Sequence, residues 1–344
     1  YVAKLLYIHL LGYQYDFGFP QMIELVTSNT FSEKQIGYIT LGVYLNGNYD
    51  LITMLIQHFM REMMNFENDP AQCLALSAAA NIGGTEIAEC CASQIVQVIS
   101  HPRSSPFAKK KAALALYRLY RETPAAIVVD DSFVSQIAGM LSNSDNGVQL
   151  SVASLALAII PRNVAVMGPV INAALTQLCQ IAMGGMIPQS YYYGPNPNPW
   201  LCMKYMRILQ YKTEWADDEK GRVITVIEQY LSKTDLSMQV KDVDSNLILL
   251  FEAINLIINT QFNENQINRA STILGTFLSA RQPNVRYLAL ESLTRLVSAY
   301  PDVIQTLDKH RQTLYLALRD ADSSIRRRTL SLLYVLCTRD TSEE

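Results

Sequence analysis

Only 17% of the 344 residues are charged, and the chain has two tryptophans and four histidines. His9, His58, His101 and His310 stand apart, with no HExxH or Cys–His ligand spacing, so no metal centre is expected. The six cysteines (Cys73, Cys90, Cys91, Cys179, Cys202 and Cys337) form no CxxC pair. Scattered on apolar stretches, they read as buried free thiols in a reducing compartment. GxGxxG, Walker A and GxSxG patterns are missing, and with them the usual nucleotide and acyl-transfer chemistry. Cys90–Cys91 lies beside Glu86 and Glu89, whose carboxylates raise a thiol pKa rather than activate it. An enzyme is therefore not expected, nor a cofactor. No apolar run reaches the ~18 residues that span a bilayer. The opening YVAKLLYIHLLGYQYDFG lacks a small-residue cleavage site and reads as a helix entered partway, not a signal peptide. A net charge of −3 argues against a general nucleic-acid binder.

What the chain does have is a period. Ala108 opens AKKKAALALYRL and Val148 opens VQLSVASLALAI, 40 residues on. Val285 opens VRYLALESLTRL and Ile325 opens IRRRTLSLLYVL, again 40 residues on. Ala71 (AQCLALSAAANI) and Asn246 (NLILLFEAINLI) fit the frame more loosely. In each block an anchor is followed by a polar or basic residue and then by small or apolar residues at helical spacing. A helical repeat of roughly 33–47 residues is the mark of an α-solenoid. One such repeat cannot bury its own apolar face and must stack on neighbours, presenting long surfaces rather than a pocket. The predicted fold is all-α: a HEAT/armadillo-like right-handed solenoid of stacked helix pairs. Residues 1–344 form one trunk, with an irregular insertion at 184–199 and a polar linker at 234–245.

Turn and cap signals divide the chain further. Pro20 opens a short helix; Thr30 or Ser32 caps the next, with Ile36, Ile39 and Val43 on one face. Asn46–Gly47–Asn48 reads as a turn, and Tyr49 or Asp50 precedes the following helix. Asp69 is expected as a cap followed by a first-turn Pro70, starting the first clear repeat, and Gly83–Gly84 breaks it. Pro161 is expected to stop the helix after Gly147. The insertion holds three consecutive tyrosines, Tyr191, Tyr192 and Tyr193. They either pack over the adjacent helices or meet a partner. No strand is expected anywhere, and TRDTSEE at 338–344 reads as a polar tail.

Two basic runs, Lys109-Lys110-Lys111 and Arg326-Arg327-Arg328, start helices, where cations oppose the helix dipole at about 0.3–1 kcal/mol each. Something must offset that. Arg326 can meet Asp320 or Asp322 and stitch repeats together, or the run can receive an anion or an acidic lipid. Tyr1 and Lys4 share one helix face at i, i+3.

The blocks, taken in order, resemble the trunk of the large adaptin subunits of clathrin adaptor complexes. The matching stretches are YVAKLLYIHLLGYQYDFG (1–18), EKQIGYITLGVYLN (33–46), ALYRLYRETP (115–124), PWLCMKYMRILQY (199–211), LLFEAINLIIN (249–259) and NVRYLALESLTRL (284–296). The aromatic-rich loop before PWLCMKYMRILQ favours the alpha type of the plasma-membrane adaptor over the gamma type. The resemblance implies a scaffold that joins sigma, beta and mu subunits in a heterotetramer. It implies work at the cytoplasmic side of the plasma membrane, in clathrin-coated pits, linking transmembrane cargo to clathrin. It also implies that Tyr1 and Lys4 belong to a phosphatidylinositol bisphosphate site, with further lysines expected upstream. Two other readings stay open. One is a gamma-type subunit of a Golgi or endosomal adaptor, which would bind a GTP-loaded Arf GTPase. The other is a free soluble transport receptor or scaffold, although Trp200 and Trp215 do not recur with the period.

Overall fold

The computed structural model describes residues 1–45, 52–232, 240–260 and 264–337. They form two compact units, Tyr1–Gln177 and Leu178–Glu344.

The first unit holds α1 (Val2–Leu10), α2 (Phe19–Thr27), α3 (Phe31–Tyr44), α4 (Ile52–Met63), α5 (Asp69–Ile82), α6 (Thr85–Ser100), α7 (Pro106–Glu122), α8 (Asp131–Leu141), α9 (Asn146–Asn163) and most of α10 (Gly168–Ala182). α3, α5, α7 and α9 pack each on the next as one layer. α4, α6 and α8 make the second, and α4–α5, α6–α7 and α8–α9 are the pairs between layers. The second unit holds α11 (Pro199–Leu209), α12 (Asp217–Leu231), α13 (Val240–Thr260), α14 (Glu264–Phe277), α15 (Pro283–Ala299), α16 (Ile304–Leu307), α17 (Arg311–Ala317) and α18 (Ser323–Leu336). There α11, α13, α15 and α18 form one layer, backed by α12, α14 and α17.

The repeat anchors explain this stacking. Ala71, Ala108, Val148, Val285 and Ile325 are all buried. A polar cap sits three residues before three of them. Asn68 accepts from the Ala71 N–H at 3.2 Å, Ser105 from the Ala108 N–H at 3.1 Å, and Asp145 from the Val148 N–H at 2.9 Å. Each cap satisfies an otherwise orphaned helix donor and contributes about 1 kcal/mol. Buried alanines (Ala75, Ala79, Ala112, Ala115, Ala153 and Ala156) let neighbouring helices of one layer approach closely.

The Gly83–Gly84 break is backbone chemistry. Gly83 has φ +66°, and a Cβ there would fall 2.3 Å from the Glu122 carboxylate. That carboxylate accepts from the Gly84 N–H at 3.1 Å, tying the turn to the end of α7.

Several expectations change. Pro161 does not end α9, which runs on to Asn163. Proline removes one hydrogen bond but tolerates the last turn, and Asn163 holds that turn by donating to the Ile159 carbonyl and the Tyr120 hydroxyl. Ile36, Ile39 and Val43 do share a face of α3, but it is the exposed one, at 36%, 46% and 45%. The buried face carries Gly37, Tyr38 and Leu41 instead, because the missing Cβ of Gly37 lets the α2 backbone at Val26 come in close. The 184–199 segment contains a two-residue antiparallel ladder, Tyr192–Tyr193 against Asn196–Pro197, where no strand was expected. Asn196 is fully buried and donates to Ser245 at 2.8 Å and Asn246 at 2.7 Å, pinning the ladder to α13. Of the polar linker, 240–245 belongs to α13. The rest of it, the 46–48 turn with its cap at 49 or 50, and the 338–344 tail lie outside the described residues.

Candidate lipid and partner surfaces

The structure treats the three groups of sequence-selected residues differently. Tyr1 and Lys4 are both exposed at the start of α1, where the Tyr1 carbonyl accepts from the Lys4 N–H at 2.9 Å. Lys4 makes no ion pair among the described residues.

The 109–111 run is largely spoken for. Lys110 reaches Asp145 at 3.2 Å, across from α7 to the cap of α9. Burial pushes the Asp145 carboxyl up, but the Val148 N–H and the Lys110 ammonium outweigh it and hold the pKa below the usual range. Lys111 lies 5.7 Å from the Phe107 ring centre. Lys109 is half-buried without an ion pair among the described residues.

In the 326–328 run, Arg326 makes neither of the expected carboxylate pairs; it closes the turn just before its own helix. Its Nη1 donates to the backbone carbonyls of Asp320 at 2.7 Å and Ala321 at 3.0 Å. The Asp320 carboxylate instead takes Arg286, one repeat earlier, at 2.8 Å. Arg328 donates to the Tyr287 hydroxyl at 3.0 Å and lies 3.4 Å from Glu291. Arg327 is exposed, with no side-chain partner among the described residues, and borders a cavity of about 330 Å³ with Tyr287, Ser324, Arg328 and Ser331.

Sequence reading missed a polar cluster inside the first unit. Lys34 of α3 and Glu62 of α4 pair at 2.9 Å with side chains only 11% and 13% exposed. Tyr38 and His58 lie beside them, ring centres 6.2 Å apart. Burial lowers the His58 pKa against the opposing pull of Glu62. A lysine one turn before a buried tyrosine was the only trace of this in the sequence. A second missed feature is a polar ribbon across the second unit. Arg207 and Gln210 both reach Glu252 (2.9 and 2.7 Å), and Arg295 reaches Asn255 (2.9 Å).

Burial pushes the Cys91 thiol up to about 12 and the Cys73 thiol up to about 11, the reverse of nucleophile activation. Among the described residues no three His, Cys, Asp or Glu side chains could hold a metal, and no helix is long and apolar enough to cross a membrane.

The whole chain, residues 1–344, matches the family described as the adaptin N terminal region. The chain belongs to that family. This adaptin-family chain is 36% identical over 338 residues to AP-2 complex subunit alpha-1 of Arabidopsis thaliana, covering 98% of this chain and 33% of that protein. It is 35% identical over 344 residues to AP-2 complex subunit alpha-2 of Dictyostelium discoideum, covering 99% of this chain and 35% of that protein. AP-1 complex subunit gamma of Dictyostelium discoideum is more distant, at 29% over 340 residues, covering 98% of this chain and 36% of that protein. The adaptin-family chain thus spans about a third of the length of these curated relatives. Among solved structures, a chain of the "Homology model of the full-length AP-3 complex in an intermediate open conformation" superposes with a TM-score of 0.63 at 18% identity, covering 99% of this chain and 54% of that one. That likeness supports the fold, a helical solenoid of stacked pairs.

Proposed function

We propose that this chain is a trunk segment of an alpha-type large subunit of a clathrin adaptor, a scaffold rather than an enzyme. In this reading it assembles with sigma, beta and mu subunits. The complex works peripherally on the cytoplasmic face of the plasma membrane, linking phosphoinositide and transmembrane cargo to clathrin. The observation that carries the proposal is the ranking of relatives: 36% identity to an alpha subunit over nearly the whole chain, against 29% to a gamma subunit. Two surfaces support it. Ile36, Ile39 and Val43 leave an apolar strip on α3 that a partner subunit would cover. Lys4 is exposed near Tyr1 and makes no ion pair among the described residues, as a headgroup contact requires, although one lysine near an anionic surface contributes only about 1 kcal/mol.

Co-expression of the full-length parent polypeptide with candidate sigma, beta and mu subunits, followed by size-exclusion chromatography with mass detection, tests the scaffold reading. A stable 1:1:1:1 complex with the plasma-membrane set is expected. Assembly only with the Golgi or endosomal set would move the chain to the gamma type, and a free monomer would sink both. Separately, Lys4→Glu is expected to weaken sedimentation with vesicles containing phosphatidylinositol bisphosphate, and unchanged sedimentation would remove Lys4 from the site.

A further inference from the structure

We propose that the cavity between α15 and α18 is a second phosphate site, built from Arg327, Arg328, Ser324 and Tyr287. Three observations on this unit lead there. First, charge: between 281 and 328 the sequence holds nine Lys or Arg against five Asp or Glu, in a chain whose net charge is −3. Second, pairing: the aspartates near the cavity are engaged elsewhere, and Glu291 meets one of the site's own arginines. Asp320 takes Arg286, Asp322 caps α18 by accepting from the Ser324 N–H at 2.8 Å, and Glu291 lies against Arg328. Arg326 donates to neutral carbonyls and acts on the Asp320 carboxylate only at longer range, and Arg327 has no carboxylate within ion-pair distance among the described residues. Third, donors: these groups border an open space of about 330 Å³, room for a headgroup phosphate.

The directions of the hydrogen bonds suit an anion. Tyr287 accepts from Arg328 through its oxygen, which leaves its own O–H to donate. The Ser324 hydroxyl has no partner among the described residues. Arg327 offers a planar fork that matches a phosphate in bidentate fashion. The first turn of α18 adds the positive end of its dipole on the same side. Ser331 is committed, since its hydroxyl donates to the Arg327 carbonyl, and it serves as wall rather than donor. Glu291 is an opposing charge at the site, and Arg328 lies against it.

Phosphate chemistry follows from these side chains alone. The choice of inositol phosphates as its carrier rests on the adaptor reading. Two sources share that chemistry, a bilayer headgroup and a free inositol phosphate, and the assay separates them. Wild type, Arg327→Glu and Arg327→Gln are titrated with inositol hexakisphosphate by calorimetry. The same proteins are sedimented with phosphatidylcholine vesicles carrying phosphatidylinositol bisphosphate. Arg327 is exposed, so matched thermal melts are expected and serve as the folding control. The glutamate variant is expected to lose about tenfold or more in affinity, and the glutamine variant less. A loss in both assays makes this a membrane contact, whereas a loss with the free ligand alone makes it a soluble-ligand site. Equal binding by all three proteins, or no binding by wild type, overturns the site. Because subunit assembly is measured independently, a failed adaptor reading and a failed phosphate site give different results.

Discussion

Arg286 and Arg326, 40 residues apart, make the same pair of hydrogen bonds. Each sends Nη1 back to the carbonyls six and five residues before it, Ala280 and Arg281 in one case, Asp320 and Ala321 in the other. Arg286 adds a third bond, from Nη2 to the carboxylate of Asp320. The inter-repeat turn is thus closed by the arginine that follows it, and one turn is also gripped by the arginine of the preceding repeat.

Arg286→Ala should be costly. It strands two carbonyls and a carboxylate in a pair whose side chains are 20% and 17% exposed, a loss of about 2–4 kcal/mol. Arg326→Ala lies at an exposed position and should lose about 1 kcal/mol or less. Urea midpoints of the two variants should rank in that order, and equal midpoints would deny the Asp320 link its role.

Acid should attack these junctions first. Asp320 is held below the usual carboxylate range mainly by the Asp322 N–H, with Arg286 helping. For Asp145 and Glu219 burial pulls the other way but is outweighed, at Asp145 by Val148 and Lys110, at Glu219 by Lys212 and the Ala216 N–H. Groups lowered in the fold contribute stability that is full above their unfolded pKa, near 4, and lost as pH falls through the folded value. This part of the thermal midpoint should stay level down to about pH 5 and drop below pH 4. Asp145→Asn should be less stable at neutral pH and lose less on acidification.

His58 sets a separate, milder window. Burial lowers its pKa; Glu62 opposes this, Lys34 and Arg61 reinforce it, and the Val26 backbone opposes it. The neutral ring is preferred in the fold, so its contribution is full above about pH 6.5 and declines as pH falls toward the folded value. His310, lowered by burial and by Lys309, acts in the same sense. A His58→Gln, His310→Gln double variant should show a flatter thermal midpoint between pH 7 and 5 than wild type. A wild-type slope kept in the double variant would assign that window to other groups.

Asn196→Ala should free the 184–199 segment while leaving the helix pairs intact. It removes two buried hydrogen bonds, at a cost of about 2–3 kcal/mol, and leaves Ser245 and Asn246 facing a gap. Hydrogen exchange in 189–198 should quicken more than in α15. Uniform quickening across both would mean that Asn196 supports the whole unit rather than the loop.

The architecture was legible because the repeat is written in residue type. The buried anchors are local signals spaced by the repeat, whereas the caps were not read correctly: at the first repeat Asn68, not Asp69, caps the helix. The face of α3 was not legible, since isoleucine and valine outrank glycine on any apolar scale. Only the approach of Val26 to Gly37 reveals which side is covered. Pro161 misled because a proline weighs less in a last turn that an asparagine side chain can close. The basic runs could be seen, but not their use. Lys111 meets a ring four residues before it, but the cap that takes Lys110 lies 35 positions on. The Lys34–Glu62 cluster joins two helices through a pairing that no local pattern encodes.

The closed turns also carry an evolutionary consequence. Lys110 to Asp145 and Arg286 to Asp320 each complete a ring through the chain, and each ring contains a full helix, a turn and the return path. Substitutions inside a ring alter one contact at a time. Deleting a single residue within one of its helices rotates everything beyond by about 100° and carries the acid away from its base. Length inside these rings is therefore held under tighter selection than composition, so descendants of this chain should diverge by exchange there long before they diverge by insertion or loss.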